Sequence, residues 1–146
     1  MLSKRFLPGL LAMLALTVGA SAQEINGGVN LSFPSGTTLF GFSARIESSI
    51  NRDFQWMVTP GVQFGGGATL FFIQGGVKHT LQQTPVYFGA EVGPIIGTFE
   101  GNSDVRFGFT PSVGYRVNEK WDLSFQVYTG IGTFVGFRVA YVFKEK

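Results

Sequence analysis

Nucleophilic or acid–base catalysis needs a base held beside a nucleophile, and the only imidazole in this chain is His79. Thr80 and Leu81 follow it, so no local arrangement pairs it with a serine nucleophile, and it reads as a rim or aromatic-belt residue. Cysteine is absent and the carboxylates are scattered, which does not build a metal site. Gly65-Gly66-Gly67 reads as a tight turn, because no helix follows to complete a phosphate cradle. The acidic stretch Glu100-Gly101-Asn102-Ser103-Asp104 reads as a solvated loop rather than a calcium loop. These readings predict no catalytic, cofactor or metal residues.

The remaining charged side chains of note recur in a pattern. Arg45, Glu47, Lys78, Glu91, Arg106, Arg116, Asp122 and Arg138 each occupy a polar position in a stretch that alternates with period two. Such alternation sends successive side chains to opposite faces of a β-strand. Eight alternating segments are predicted, over residues 24–33, 39–48, 54–64, 69–80, 86–95, 105–117, 121–128 and 134–143. In the sixth, Val105, Phe107, Phe109, Pro111, Val113, Tyr115 and Val117 oppose Arg106, Gly108, Thr110, Ser112, Gly114 and Arg116 without an error. The fourth is the least clean. The connectors are short and rich in turn formers, residues 97–104 being the longest, so neighbouring strands must be antiparallel. A faint repeat relates Thr59-Pro60-Gly61-Val62-Gln63-Phe64 to Thr110-Pro111-Ser112-Val113-Gly114-Tyr115; duplication of a hairpin and shared barrel geometry both account for it.

Two barrels carry such alternation. A soluble, lipocalin-like barrel points its apolar face inward, whereas a transmembrane barrel points it at lipid. Charged residues make up 14% of the chain, against roughly 25% in soluble domains. The polar face is dominated by Gly, Ser, Thr, Asn and Gln, too few charges for a water-facing exterior. Segments of about ten residues suit a tilted strand crossing a bilayer. The fold expected is therefore all-β, an eight-stranded antiparallel up-and-down transmembrane β-barrel, closed because lipid cannot satisfy a free strand edge. Trp56, Tyr115, Trp121 and Tyr141 suit interfacial aromatic girdles. An eight-stranded lumen has room only for side chains, and buried charges need partners. A lumen network centred on Arg45, Glu47, Glu91, Arg106 and Arg138 is expected.

The first 22 residues read as a secretory signal peptide: Lys4 and Arg5, then an apolar stretch from Leu10 to Val18, then the Ala20-Ser21-Ala22 cleavage site. That stretch is too short to span a bilayer as a helix. Residues 23–146 form the barrel domain, with Gln23 as the mature N-terminus. Of the 11 basic residues two leave with the signal, so nine remain against nine acidic ones. The mature chain is neutral, which gives no reason to expect nucleic acid as a partner.

With its signal peptide, eight segments and aromatic-ended terminus Val139-Ala140-Tyr141-Val142-Phe143, the chain resembles the small outer-membrane β-barrels, the OmpX/OmpA-type or porin-family barrel domains. The resemblance implies export by the general secretion pathway and residence in a bacterial outer membrane. It implies contact with lipid and lipopolysaccharide, and a monomer. It also implies that Val139, Tyr141 and Phe143 form an assembly signal for the barrel-assembly machinery. Both termini then lie in the periplasm. Some such barrels modify lipid A, but His79 lacks the His-x-Ser arrangement of the deacylases and falls at the periplasmic end. The function expected is non-enzymatic, in envelope integrity. The alternatives are a small-molecule-binding or adhesion barrel, including a soluble lipocalin-like one, with the short external connectors disfavouring adhesion, and then a narrow pore, which a filled lumen disfavours, or a lipid A-modifying enzyme.

Overall fold

Eight strands form wherever the alternation was uninterrupted. The computed structural model describes residues 24–34, 36–99, 101–130 and 132–144; the expected signal segment and Gln23 lie outside them. The strands are β1 (Glu24–Phe33), β2 (Leu39–Ser49), β3 (Phe54–Gly65), β4 (Ala68–Thr80), β5 (Val86–Phe99), β6 (Asn102–Arg116), β7 (Trp121–Tyr128) and β8 (Phe134–Lys144). Every neighbouring pair is antiparallel, and β8 returns to β1 through Val29 opposite Val139, so the sheet closes as a barrel. Closure removes the edges that an open sheet would expose.

Strand parity follows the sequence reading throughout. Phe40 and Phe42 are exposed on the outer wall of β2 while Ser43, Arg45 and Glu47 are buried within. The irregularity of the fourth segment has a physical cause: Leu70 and Phe72 share the inner face with Gln74 and Lys78, and Phe71 and Val77 face outward. The inner face is thus not polar along its whole length.

One end of the barrel carries the start of β1, the end of β8 and the connectors after β2, β4 and β6; it is called here the terminal end. Two of its turns use the same device. Asn51 accepts the Asp53 and Phe54 N–H groups, and Asn118 accepts those of Lys120 and Trp121, so a side-chain carbonyl completes each turn. At the far end β3 and β4 meet through Gly66 and Gly67, at φ 57° and 77°. A two-residue turn of type I′ needs positive φ at both central positions, which glycine adopts without strain.

The segment expected as a loop over 97–104 is corrected: residues 97–99 and 102–104 are paired strand. β5 runs to Phe99 and β6 starts at Asn102, with Gly97 opposite Asp104 and Thr98 opposite Ser103. Cross-strand pairing overrides the turn composition here. The Thr-Pro repeat is also clarified. It falls on β3 and β6, which run in opposite directions, whereas duplication of a hairpin would carry a strand onto one of the same direction. Shared barrel geometry explains it. Pro60 and Pro94 have another consequence. The β2–β3 register passes from Ser43/Gly61 to Ile46/Val58, and the β4–β5 register from Phe72/Ile95 to Gly75/Val92. A proline has no N–H to contribute to the ladder, and both gaps fall beside one.

Candidate functional site: the lumen

From the far end inward, the lumen begins as an apolar cap. Leu39, Leu70, Phe72, Ile95, Tyr128 and Phe134 form one buried cluster. The Tyr128 and Phe134 rings stack at 5.0 Å, and Phe72 meets Tyr128 edge-on at 6.5 Å. Phe72 can lie across the lumen because it faces Gly61, where a Cβ would come within 2.3 Å of its ring. Beneath the cap the Tyr128 hydroxyl donates to Gln126 Oε1 and accepts from Asn30 Nδ2, and Ser32 donates to Gln63.

The middle layer holds two arginines with different partners. Arg45 Nη2 lies 3.0 Å from Glu91 Oε1, the side chains being 1% and 2% exposed, and Arg45 Nε donates to Thr59 Oγ1. Arg138 has neutral partners: its Nε donates to Ser43 Oγ, and its Nη2 to Asn26 Oδ1 and the Ser43 carbonyl. Both are charge-assisted bonds, which are stronger than neutral ones.

A third layer faces the terminal end. Lys78 Nζ bonds both oxygens of Glu47 at 3.1 Å and lies 4.2 Å from the centre of the Tyr87 ring. Tyr87 donates its hydroxyl to Asp122. Arg116 bridges Glu24 and Asp122, the latter at 3.4 Å. Tyr87 reaches Asp122 by crossing Gly114, where a Cβ would lie 1.9 Å from the ring. Beyond this layer a cavity of about 790 Å³ opens at the terminal end, lined by Glu24, Glu47, Gln55, Lys78 and Arg116 among others. The lumen is therefore a vestibule with an ion-paired floor and an apolar lid at its far end.

Of the five residues expected in a lumen network, Arg45, Glu47, Glu91 and Arg138 are buried inside the barrel. They do not form one continuous network: Arg45 pairs with Glu91, Glu47 with Lys78, and Arg138 with no carboxylate among the described residues. Arg106 is corrected. Its side chain is 60% exposed and pairs with Asp104 at 2.8 Å. Its parity is inward, but β6 there extends past the end of β7, so an inward side chain no longer faces a lumen. Lys78, Asp122, Arg116 and Glu24 complete the ion pairs. The first three stood on polar positions of their strands, but parity alone does not say which charges meet across a barrel.

Trp56, Tyr115, Trp121 and Tyr141 all lie towards the terminal end, near the start of β3 and β7 and the end of β6 and β8. Trp121 and Tyr141 are register partners with rings 5.3 Å apart, and Phe143 continues the belt at the same spacing from Tyr141. The far end carries phenylalanines instead: Phe33, Phe40, Phe64 and Phe99 are all exposed. These four residues thus make one belt rather than two. His79 sits opposite Phe54 and Phe88, its ring 4.7 Å from that of Phe54. Val139, Tyr141 and Phe143 project together from the outer face of β8. Among the described residues no group of three or more metal-ligating side chains comes together.

The sequence matches no protein-family model and no curated protein. Solved structures do resemble the fold. The N-terminal β-barrel domain of Pseudomonas aeruginosa OprF superposes with a TM-score of 0.62 at 10% identity, over 84% of this chain and 98% of that one. The Yersinia pestis outer membrane protein Ail gives 0.54 at 12% identity, over 83% and 99%. Neisserial surface protein A gives 0.51 at 20% identity, over 82% and 92%. At such identities what is shared is architecture. The chain has the closed, eight-stranded, antiparallel barrel fold of the small outer-membrane proteins.

Proposed function

We propose that the chain is a non-enzymatic protein of the bacterial outer membrane, exported by the general secretion pathway, with a structural role in the envelope. The observation that carries this reading is the blind lumen. Arg45, Glu47, Lys78, Glu91, Arg116 and Asp122 are held in ion pairs inside it, and its far end is closed by packed apolar side chains. Such an interior stiffens a barrel and leaves no path for solutes.

The terminal end, with its tryptophan–tyrosine belt, faces the periplasm. The phenylalanine belt lies in the outer leaflet against lipid and lipopolysaccharide. The β8 triad Val139, Tyr141 and Phe143 is offered to the assembly machinery before β8 closes on β1. The barrel works as a monomer. Single-channel recording in planar bilayers tests the central part of this reading. Purified, refolded protein is expected to leave the bilayer non-conducting. Sustained conductance steps from the wild-type chain would favour a pore and refute it.

A further inference from the structure

The turns around the terminal vestibule carry charges that its floor does not use. In the floor Lys78 bonds both oxygens of Glu47 and lies over the Tyr87 ring, while Arg116 bridges Glu24 and Asp122. Glu47, Lys78 and Tyr87 are buried, so the floor is a closed set of ion pairs. Two further charged residues line the same cavity. Arg52 lies in the β2–β3 turn and Glu119 in the β6–β7 turn, and both are exposed. Among the described residues neither has an ion-pair or side-chain hydrogen-bond partner. Asp53, beside Arg52, is taken by Gln82 Nε2 at 2.6 Å.

The topology sets these two charges against each other. Four strands separate the two turns in either direction around the closed sheet, so Arg52 and Glu119 stand on opposite sides of the mouth. With strands about 4.8 Å apart and tilted by about 40°, opposite walls lie on the order of 16 Å apart. Carboxamides line the space between. Asn51 and Asn118 spend their oxygens on their own turns, and Gln55 accepts from Thr80. Each keeps an amide nitrogen to donate. The lining as a whole is neutral, because Glu24, Glu47 and Glu119 balance Arg52, Lys78 and Arg116. A neutral lining with separated poles disfavours an ion of one sign, and its polar walls disfavour an apolar molecule. The volume of about 790 Å³ falls within the range of small-molecule sites.

We propose that the vestibule binds a short peptide with free ends, laid across the mouth with its carboxylate at Arg52 and its ammonium at Glu119. Its peptide carbonyls accept from the amide nitrogens of Asn51, Gln55 and Asn118. A free amino acid carries both charges on one carbon and cannot reach both poles. An extended tripeptide spans about 10 Å at about 3.3 Å per residue, which leaves room for the two side chains to meet it from either wall. In the orientation proposed above the vestibule opens to the periplasm, but the binding itself does not depend on that orientation.

NMR titration of the protein in detergent micelles tests this, with tri-alanine as the probe. Its addition should shift the side-chain amide signals of Asn51, Gln55 and Asn118 and saturate in the millimolar range, as two exposed charge contacts allow. Tri-alanine acetylated at its amine and amidated at its carboxylate should bind at least fivefold more weakly. Arg52→Glu and Glu119→Arg should each weaken binding of the free-ended peptide by a similar factor. The two substitutions together restore one charge of each sign on opposite sides, so the double variant should recover binding with the peptide reversed. Both positions are exposed turn residues, so the variants should keep the barrel folded. No shift at tens of millimolar tri-alanine would overturn the proposal. So would equal binding of the blocked peptide, or a double variant no better than the single ones. Saturable binding of the neutral trisaccharide maltotriose, as tight as that of tri-alanine, would refute it in favour of an uncharged ligand.

Discussion

Removing one partner of the Arg45–Glu91 pair should be among the most damaging single changes to the barrel. The pair is almost fully buried, with 3.0 Å between charged atoms. At that distance the attraction is about 5 kcal/mol with an effective dielectric of about 20. Arg45→Met abolishes it and leaves Glu91 as a buried carboxylate with no cation bonded to it, a loss of about 3–5 kcal/mol. Glu91→Leu strands the guanidinium and should cost a similar amount. The double variant strands neither charge, and replacing a buried pair by apolar groups is often close to neutral. It should lose no more than about 2 kcal/mol, far less than the roughly 6–10 kcal/mol that simple addition gives. The assay is urea unfolding from lipid vesicles, followed through Trp56 and Trp121. With a slope near 2 kcal/mol/M each single variant should lower the midpoint by about 1.5–2.5 M. Single losses under about 1 kcal/mol that add in the double variant would refute the claim that this pair bears on stability.

Arg138→Met should cost less than Arg45→Met, about 1–3 kcal/mol, because it frees the neutral acceptors Ser43 and Asn26 rather than a carboxylate; equal losses in the same unfolding assay would contradict the different partners assigned to the two arginines. Gly114→Ala should displace Tyr87 from Asp122 and destabilise by about 1–3 kcal/mol, with a change in the Tyr87 ring signals in NMR spectra. Replacing Leu70 and Phe134 of the apolar cap by serine and alanine should let water through the lumen, so that bilayers silent with the wild-type chain show small conductance steps; continued silence in a folded double variant would mean that the cap is not the seal.

The architecture was legible because lipid and lumen impose opposite chemistry on alternate residues. Thirteen alternating positions in a stretch such as 105–117 leave little freedom in what faces what. The misreadings come from properties that parity does not encode. Arg106 has the parity of a lumen residue, yet strand tilt and the shortness of β7 lift it beyond the rim. Asn102, Ser103 and Asp104 look like a loop in isolation, but their pairing with β5 extends the hairpin. Lys78 and Asp122 were visible as polar-face charges; Asp122 meets Arg116 as its register partner in the β6–β7 hairpin, while the meetings of Lys78 with Glu47 two strands away and of Arg116 with Glu24 depend on how the barrel closes. Leu70 and Phe72 blurred the fourth segment for a related reason. An inner face that caps the lumen at one end is apolar there, so the alternation weakens where the cap is built.

Cell fractionation combined with a heat-modifiability gel tests most directly whether the phenylalanine-rich wall meets lipid and the charged face fills the lumen. The protein should be found in the outer-membrane fraction, and unboiled samples should migrate as a compact band that shifts on boiling as the hydrogen-bonded barrel unfolds. Recovery in the soluble periplasmic fraction, with no shift on heating, would contradict the transmembrane barrel at its root.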